Sequence, residues 1–287
     1  MDLVASHFLP GLDWLVKLGI GLVVATAGVL LFRQPRRGGL GLALALFIAE
    51  TGTLVAIRGL VAASASSRWQ YIMPFGLVLV PALFVAFILT SLGWWRRAGF
   101  TWPRAWRAPH LAVPLLATLA LPVLGLSSRG VIPTIALVLA LQIVFMLVDV
   151  FMEEATYRGL VLEALARYPA VSRVLICALL FGLSHIDNLF LPGADELGIA
   201  YQMFEAALIG VLFAAARLRM NTIWPVIAIH AAYDFILILA FGHASPVAPT
   251  LPGFLVDTAV NLGLAGLGLF LIRPRHSGGV FALEGVA

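Results

Sequence analysis

The chain has 287 residues, of which 62% are hydrophobic and only 11% are charged, with a formal net charge of +4. Soluble domains carry about 25% charged residues, so the composition excludes a water-soluble globular protein. The arginines lie between apolar segments rather than on a basic face, which does not favour nucleic-acid binding. A spanning β-barrel is excluded as well, because its strands alternate apolar and polar residues and these segments do not.

Nine apolar segments follow one another along the chain, and most are long enough to cross about 30 Å of hydrocarbon as a helix. We predict them at 12–32, 40–63, 72–93, 111–126, 131–152, 171–187, 199–216, 222–241 and 254–272. The fourth is short and contains Pro114 and Pro122, so eight spans and one irregular piece are an alternative. The predicted fold is an all-α polytopic transmembrane helical bundle of eight or nine spans.

Two regions make up the predicted bundle. Residues 1–110 hold the first three helices and a basic, tryptophan-rich loop, and residues 111–287 hold a helical core with the motif region at about 130–241. Most of the 18 basic residues fall in alternate loops, which the positive-inside rule places in the cytoplasm. We expect a multi-pass protein of a prokaryotic plasma membrane, surrounded by lipid, with its N-terminus outside and its C-terminus inside.

Charged and imidazole side chains inside apolar segments are candidates for function. A charge at the centre of a membrane helix costs about 2.5–3.5 kcal/mol on insertion scales, so those that remain usually face a partner or a cavity. Glu50 and Glu205 stand alone, and each is expected to pair with a backbone group or to line a cavity. Asp149 is a further candidate, and the others form three local patterns.

The first pattern is the pair Glu153 and Glu154, followed by Arg158. On a helix, Glu154 and Arg158 are four residues apart and share a face, whereas Glu153 points elsewhere. Arg158 can therefore neutralise Glu154 and leave Glu153 free to hold a water molecule as a general base. A charge cluster at the cytoplasmic end of a helix explains the same residues equally well.

The second and third patterns each place a histidine four residues from a partner. In the second, the ring of Phe181 can wall one side of the His185 imidazole. In the third, Asp234 can accept one N–H of His230 and fix the tautomer of its ring. Each pattern alone is more typical of a buried, satisfied histidine, but three patterns in three apolar segments indicate one shared polar site.

The motifs Glu-Glu-x-x-x-Arg, Phe-x-x-x-His and His-x-x-x-Asp, in this order on successive spans, resemble the CPBP family. This family, also called ABI, consists of membrane proteases related to the CAAX prenyl endopeptidases. The resemblance implies intramembrane proteolysis by an activated water, with catalytic residues Glu153, Glu154, His185, His230 and Asp234 and supporting residues Arg158 and Phe181. Many members have Asn where this chain has Asp234, and the extra charge is expected to alter metal preference.

The mechanism expected from this resemblance uses both histidines. Glu153 and His185 hold and deprotonate a water that attacks the scissile carbonyl, and His230 stabilises the oxyanion. A zinc form stays open, because Glu153, His185 and His230 make a catalytic ligand set with a fourth position for water. We favour the metal-free form. The substrate is a peptide or protein, and a prenylated C-terminus is the target after which the relatives are named.

One structural condition and two alternative functions accompany this prediction. The helix of Glu153 must continue through 155–168, because otherwise Glu153 and His185 lie at different depths in the membrane. A transporter or channel could use the same residues as a proton or ion path, although no inverted repeat supports it. A non-catalytic membrane scaffold that keeps the fold is the second alternative. The sequence predicts no oligomeric state.

Overall fold

The computed structural model describes residues 13–32, 39–64, 73–102, 112–131, 136–191, 195–241 and 248–273. Their elements are α1 (Asp13–Phe32), α2 (Gly39–Ser64), α3 (Met73–Leu92), α4 (Ala112–Ala117), α5 (Ala120–Arg129), α6 (Ala136–Glu154), a π-helical segment (Ala155–Val161), α7 (Leu162–Ala164), α8 (Ala170–Ser184), a 3₁₀ turn (His185–Phe190), α9 (Glu196–Met220), α10 (Trp224–Phe241) and α11 (Leu251–Leu271). The arginine-rich stretches at 33–38 and 103–110, which support the predicted orientation, lie outside the described residues.

The helices confirm the predicted all-α polytopic bundle. In the part of the chain that the structure describes, six are long and apolar enough to cross a membrane, namely Trp14–Phe32, Gly39–Val61, Ala136–Ala164, Ala170–Phe190, Glu196–Met220 and Leu251–Leu271. Three shorter apolar helices lie at Val78–Leu92, Ala112–Ser128 and Trp224–Ala240. Together they match the nine predicted segments in order, and the irregular fourth segment breaks into α4 and α5.

Helices α1 and α2 pack closely through small residues. A Cβ atom added at Gly21 would collide with the backbone of Ala56, and one added at Gly28 would collide with the backbone of Ala49. Glycines at such contacts let two membrane helices approach until their backbones touch, which gains van der Waals packing that lipid cannot supply. The first helix is therefore held to the bundle mainly through α2.

The span Ala136–Ala164 carries the Glu153 motif, and its C-terminal part is buried in the bundle. This part is the π-helical segment, all of whose residues are buried, and it contacts α2, α3, α8 and α9. The helix continues past Met152 but ends at Ala164, so the condition set by the sequence is met for 155–164, whereas 165–168 form turns. A π turn inserts an extra residue into a helix and is frequent at functional sites, because it rotates the following side chains onto a new face.

The turn after α3 docks on the turn between α9 and α10. The guanidinium of Arg217 donates hydrogen bonds to the carbonyl oxygens of Ala98 at 3.1 Å and Arg97 at 2.6 Å. The backbone N–H of Ile223 donates to the Gly99 carbonyl at 2.9 Å. Gly99 has a φ of +92°, which favours glycine, and an added Cβ would collide with Arg217. This contact fixes one end of α10, the helix that carries His230.

Candidate active site

Glu154 joins two of the predicted patterns across the bundle. Its Oε1 accepts hydrogen bonds from Arg158 Nη1 at 2.9 Å and from His230 Nδ1 at 2.8 Å. The side chains of Glu154 and Arg158 are both 0% exposed. The contact with Arg158 confirms the prediction from spacing, whereas His230 lies 76 residues away and no local pattern indicates its contact.

The second ring nitrogen of His230 faces two further carboxylates. Its Nε2 lies 3.6 Å from Glu153 Oε2 and 3.7 Å from Asp234 Oδ2. Both distances exceed that of a normal N–H···O hydrogen bond. The interpretation that Asp234 fixes the tautomer of His230 is therefore wrong, because the N–H of Nδ1 donates its hydrogen bond to Glu154. Asp234 instead lies beside Nε2, together with Glu153.

The ring of Phe181 contacts the other parts of the site. Its centroid lies 5.1 Å from the ring of His185 and 6.0 Å from the ring of His230, with both pairs close to perpendicular. The predicted wall beside His185 is thus confirmed. The Arg158 guanidinium carbon lies 3.9 Å from the same centroid, a cation–π contact. The Arg158 Nε and Nη2 atoms have no hydrogen-bond partner among the described residues, and the contact with the Phe181 ring offsets part of the cost of burying them.

His185 is the first residue of the 3₁₀ turn and caps α8. Its Nδ1 lies 3.0 Å from the carbonyl oxygen of Phe181. A carbonyl oxygen only accepts hydrogen bonds, so Nδ1 is the donor and the neutral ring keeps its lone pair on Nε2. His185 therefore offers one ring nitrogen to a water or a substrate while the other is held by the helix end.

The site has a buried inner part and an accessible outer part. The inner part is the Glu154–Arg158 pair. In the outer part, the side chains of Glu153 and Asp234 are 19% and 27% exposed. Asp149, one turn before Glu153, interacts electrostatically with both of them and with His230. The fully buried pair of Glu154 and Arg158 thus positions His230, whereas the carboxylate of Glu153 is partly exposed.

Helix α2 contributes polar side chains that the sequence motifs do not reveal. Glu50 is buried, and its carboxylate faces the side-chain hydroxyls of Thr156 and Tyr157 rather than the backbone group that the sequence predicts. Arg58 forms an ion pair with Asp187, two residues after His185. The only available signal for Arg58 was a single arginine inside an apolar segment.

Glu205 lies in a different region and has partners of its own. It accepts hydrogen bonds from Thr258 Oγ1 at 2.8 Å and from the Asn261 side-chain amide, both on α11. The prediction that it pairs with a backbone group or lines a cavity is therefore wrong. These bonds join α9 to α11, and none of them includes a residue of the predicted patterns.

The donor groups also bear on the possible metal. Within the described ranges, no three His, Cys, Asp or Glu side chains are grouped so that they could hold a metal ion. A histidine binds a metal through one ring nitrogen and usually donates the other N–H to a carboxylate. The bond from His230 Nδ1 to Glu154 therefore leaves Nε2 free to meet a water or another ligand. Glu153, His185 and His230 are not grouped as a ligand set in the described residues, so we derive no step through a metal, and the metal-free form stays a prediction.

An open apolar cavity of about 240 Å³ lies at the surface between α6 and α10. It is lined by Ile143, Met146, Ala231, Ala232 and Phe235. Ala231 directly follows His230 and Phe235 directly follows Asp234. The lining contains no polar residue, so this cavity suits an apolar group.

A comparison with known families matches the central part of the chain. Residues 133–236 match a family described as Rce1-like, type II CAAX prenyl endopeptidase Rce1-like. The match contains the predicted site residues from Glu153 to Asp234 and excludes α1, α2 and α3. No curated protein matches the chain.

Proposed function

Residues 133–236 form an Rce1-like domain of the CPBP family of membrane proteases, and on this premise we propose that the protein is an intramembrane endopeptidase that uses Glu153 to activate water. The apolar helices and this domain make it an integral multi-pass membrane protein of a peptidase family. The finer proposal concerns the catalytic residues, the substrate and the independence from a metal.

The observation that carries the proposal is the 3.6 Å separation of Glu153 Oε2 and His230 Nε2. The two atoms are too far apart for a good direct hydrogen bond, yet one water molecule can lie at ordinary hydrogen-bond distance from both. Glu153 is partly exposed and free of the arginine that neutralises Glu154. A water held in this way has a general base on one side and an imidazole on the other.

The proposed reaction follows from this placement. Glu153 removes a proton from the water, whose oxygen attacks the scissile carbonyl carbon. His230 acts as an imidazolium: its Nδ1–H donates to Glu154, and its Nε2–H donates a hydrogen bond to the oxyanion and keeps its proton throughout. His185 Nε2 helps to orient the water or the substrate. When the C–N bond breaks, the proton on Glu153 passes to the leaving amine, so that protons balance over the cycle.

The proposed substrate is a peptide segment at the membrane, with an apolar group placed in the apolar cavity between α6 and α10. A side chain of a membrane segment and a prenyl group both have this chemistry. Pairs of peptides with and without a prenyl group distinguish the two. Chelator treatment tests the metal-free form, which predicts unchanged cleavage, whereas loss of cleavage restored by zinc would support a metal enzyme.

The experiment that tests the function compares two Glu→Gln variants of the full chain. Purified protein in detergent or liposomes is incubated with candidate peptides, and the products are identified by mass spectrometry. We expect Glu153→Gln to lower the cleavage rate by at least about 100-fold, the usual contribution of a general base, with an unchanged apparent melting temperature. Glu205→Gln is the matched control, because it makes the same change inside a span but away from the site.

Three outcomes decide between the proposed function and its alternatives. Full activity in Glu153→Gln would overturn the catalytic assignment. Proton flux into liposomes that is lost in this variant, with no cleavage by either form, would favour a transporter. The absence of both activities with the complete peptide panel would favour a scaffold.

A further inference from the structure

Helix α2 lies outside the matched family segment, yet Arg58 on this helix contacts the element that carries His185. Arg58 Nε donates to Asp187 Oδ2 at 3.2 Å, and Nη2 lies 3.1 Å from the same oxygen. Nη2 also donates to Asn188 Oδ1 at 2.9 Å. One guanidinium thus holds two consecutive side chains of the 3₁₀ turn His185–Phe190.

The contact extends to a third helix. Asn188 Nδ2 donates to Gln202 Oε1 on α9 at 2.8 Å, and the Asn188 carbonyl accepts from the N–H of Leu191 at 3.0 Å. Asp187 and Asn188 are both buried in the bundle. Side-chain contacts from α2 and α9 therefore hold the turn at Asp187 and Asn188, two and three residues after His185.

A 3₁₀ turn needs this support if it is to hold a side chain in one direction. Its hydrogen bonds have poor geometry and it is short, so it is less rigid than the α-helix before it. Within α8, the bond from His185 Nδ1 to Phe181 fixes one edge of the ring. The other constraint on the ring is the path of the backbone after His185, and Arg58 and Gln202 fix that path through side-chain contacts.

We propose that Arg58 is a positioning residue that sets the direction of His185 Nε2 by anchoring the turn through Asp187 and Asn188. Arginine suits this role because its planar fork holds a carboxylate and an amide oxygen in a fixed geometry, whereas the rotatable donors of lysine do not fix that geometry. It follows that α2 is part of the catalytic unit and that the Rce1-like segment is incomplete without it. The effect on catalysis rests on the proposed peptidase function, whereas the effect of Arg58 on the position of His185 is independent of that function.

The test uses the full chain with Arg58→Met and Arg58→Lys, and with Arg97→Met as the matched control. Arg97 forms an ion pair with Glu163 at 2.7 Å, on the turn after α3, and has no contact with the 3₁₀ turn. Both Met substitutions remove one guanidinium from one ion pair. The Arg97 pair is the more exposed of the two, so the apparent melting temperature of each variant is measured as well, and only a loss of kcat in a folded Arg58 variant counts as a positioning effect.

Two measurements are made on each variant. The first is the separation of kcat from KM for a cleaved peptide. We expect Arg58→Met to lower kcat by about 10–100-fold with little change in KM, because small displacements of a catalytic group reduce rate at that scale. Arg58→Lys is expected to recover part of the loss, and Arg97→Met to leave kcat unchanged.

The second measurement does not depend on activity. Diethyl pyrocarbonate modifies accessible imidazole nitrogens, and peptide mass spectrometry gives a separate rate for each histidine. We expect the rate at His185 to rise several-fold in Arg58→Met and to stay unchanged in Arg97→Met, while the rate at His230 stays constant in both. If Arg58→Met does not fold, the same comparison is made with Arg58→Lys.

The outcomes separate this inference from the proposed function. Wild-type kcat in a folded Arg58→Met variant, or an unchanged modification rate at His185, would overturn the positioning role. If the wild-type protein cleaves no peptide, the proposed function fails, and a selective change in the modification of His185 still supports the positioning role of Arg58. An equal change at both histidines would show a general loosening of the bundle and would also overturn the inference.

Discussion

Two regions of the bundle hold carboxylates inside membrane-spanning helices, and the hydrogen-bond partners of these carboxylates differ between the two regions. In the contact between α9 and α11, Glu205 accepts from Thr258 and Asn261, and Asp257 accepts from the hydroxyl of Tyr201 at 2.6 Å. Around His230, the carboxylates meet a guanidinium and an imidazole instead, and two of them stop short of direct hydrogen bonds.

The difference shows that an acidic residue in a membrane helix does not by itself indicate function. Neutral donors that satisfy Glu205 make it a link between two helices, in the manner of other polar contacts in membranes. Glu153 has a partly exposed carboxylate, a ring nitrogen 3.6 Å away and no share in the buried ion pair. The partners of a carboxylate, more than its depth, separate a structural group from a reactive one.

The largest effect is expected from removing the cation of the inner pair. Arg158→Met leaves the carboxylate of Glu154 buried with only His230 as a partner. Loss of one member of a buried ion pair destabilises a protein by about 3–5 kcal/mol. We expect a strongly lowered apparent melting temperature in detergent, measured by thermal unfolding of the purified protein, and little folded protein at growth temperature.

A second substitution shows whether the uncompensated charge is the cause. Glu154→Gln in the Arg158→Met background removes the orphaned carboxylate and should recover much of the lost stability, since a neutral amide is cheaper to bury than a charge. Wild-type stability in Arg158→Met alone would contradict the account of the pair. It would also remove the main contrast between the two regions.

A smaller effect is expected in the other region. Glu205→Gln keeps the shape of the side chain but replaces one acceptor by a donor that faces Thr258 or Asn261. Polar contacts between membrane helices contribute on average about 0.6 kcal/mol, with a maximum near about 1.7 kcal/mol, so the loss of stability should stay within this range. Thermal unfolding and peptide cleavage are measured together, and cleavage should remain at the wild-type level. A loss of cleavage like that of Glu153→Gln would show that the regions are not separate.

Much of the fold could be predicted because hydropathy depends on composition over a window and not on contacts. Hydropathy ends the fifth segment at 152, whereas the site requires a longer helix, and the span continues to Ala164. Glu153, Glu154 and Arg158 lower the hydropathy of this stretch, although the latter two form a buried pair. A local average cannot recognise charges that neutralise each other inside the bundle.

The site was predictable only where one helix fixes the geometry. Glu154 with Arg158, and Phe181 with His185, are four residues apart, and both contacts exist. The contact of Glu154 with His230 spans 76 residues, and that of Arg58 with Asp187 spans 129. Such pairs depend on how helices pack. His230 donates to the distant Glu154 rather than to Asp234, the partner four residues away that the sequence predicts.

The smallest effect is expected outside the spans, at the start of α9, where a carboxylate is again satisfied by neutral donors. Asp195 Oδ2 accepts a hydrogen bond from the backbone N–H of Ala248 at 2.7 Å, which ties the entrance of α9 to that of α11. This bond, with nearby N–H groups of α9, holds the pKa of Asp195 below its ordinary value of 3.8. A lowered folded-state pKa means that the charged form contributes stability above the ordinary value and loses it as the pH falls through the lowered one.

Comparison of the wild type with Asp195→Asn isolates this contribution, because the amide oxygen can still accept from Ala248 while the charge is removed. We expect the wild type to have a slightly higher apparent melting temperature near neutral pH, and the difference to close as the pH falls below about 4. Thermal unfolding of both proteins over this range is the measurement. A gap that widens toward acid would have the wrong sign and would show that the charge of Asp195 opposes the link between α9 and α11, unlike the satisfied carboxylates deeper in the same region.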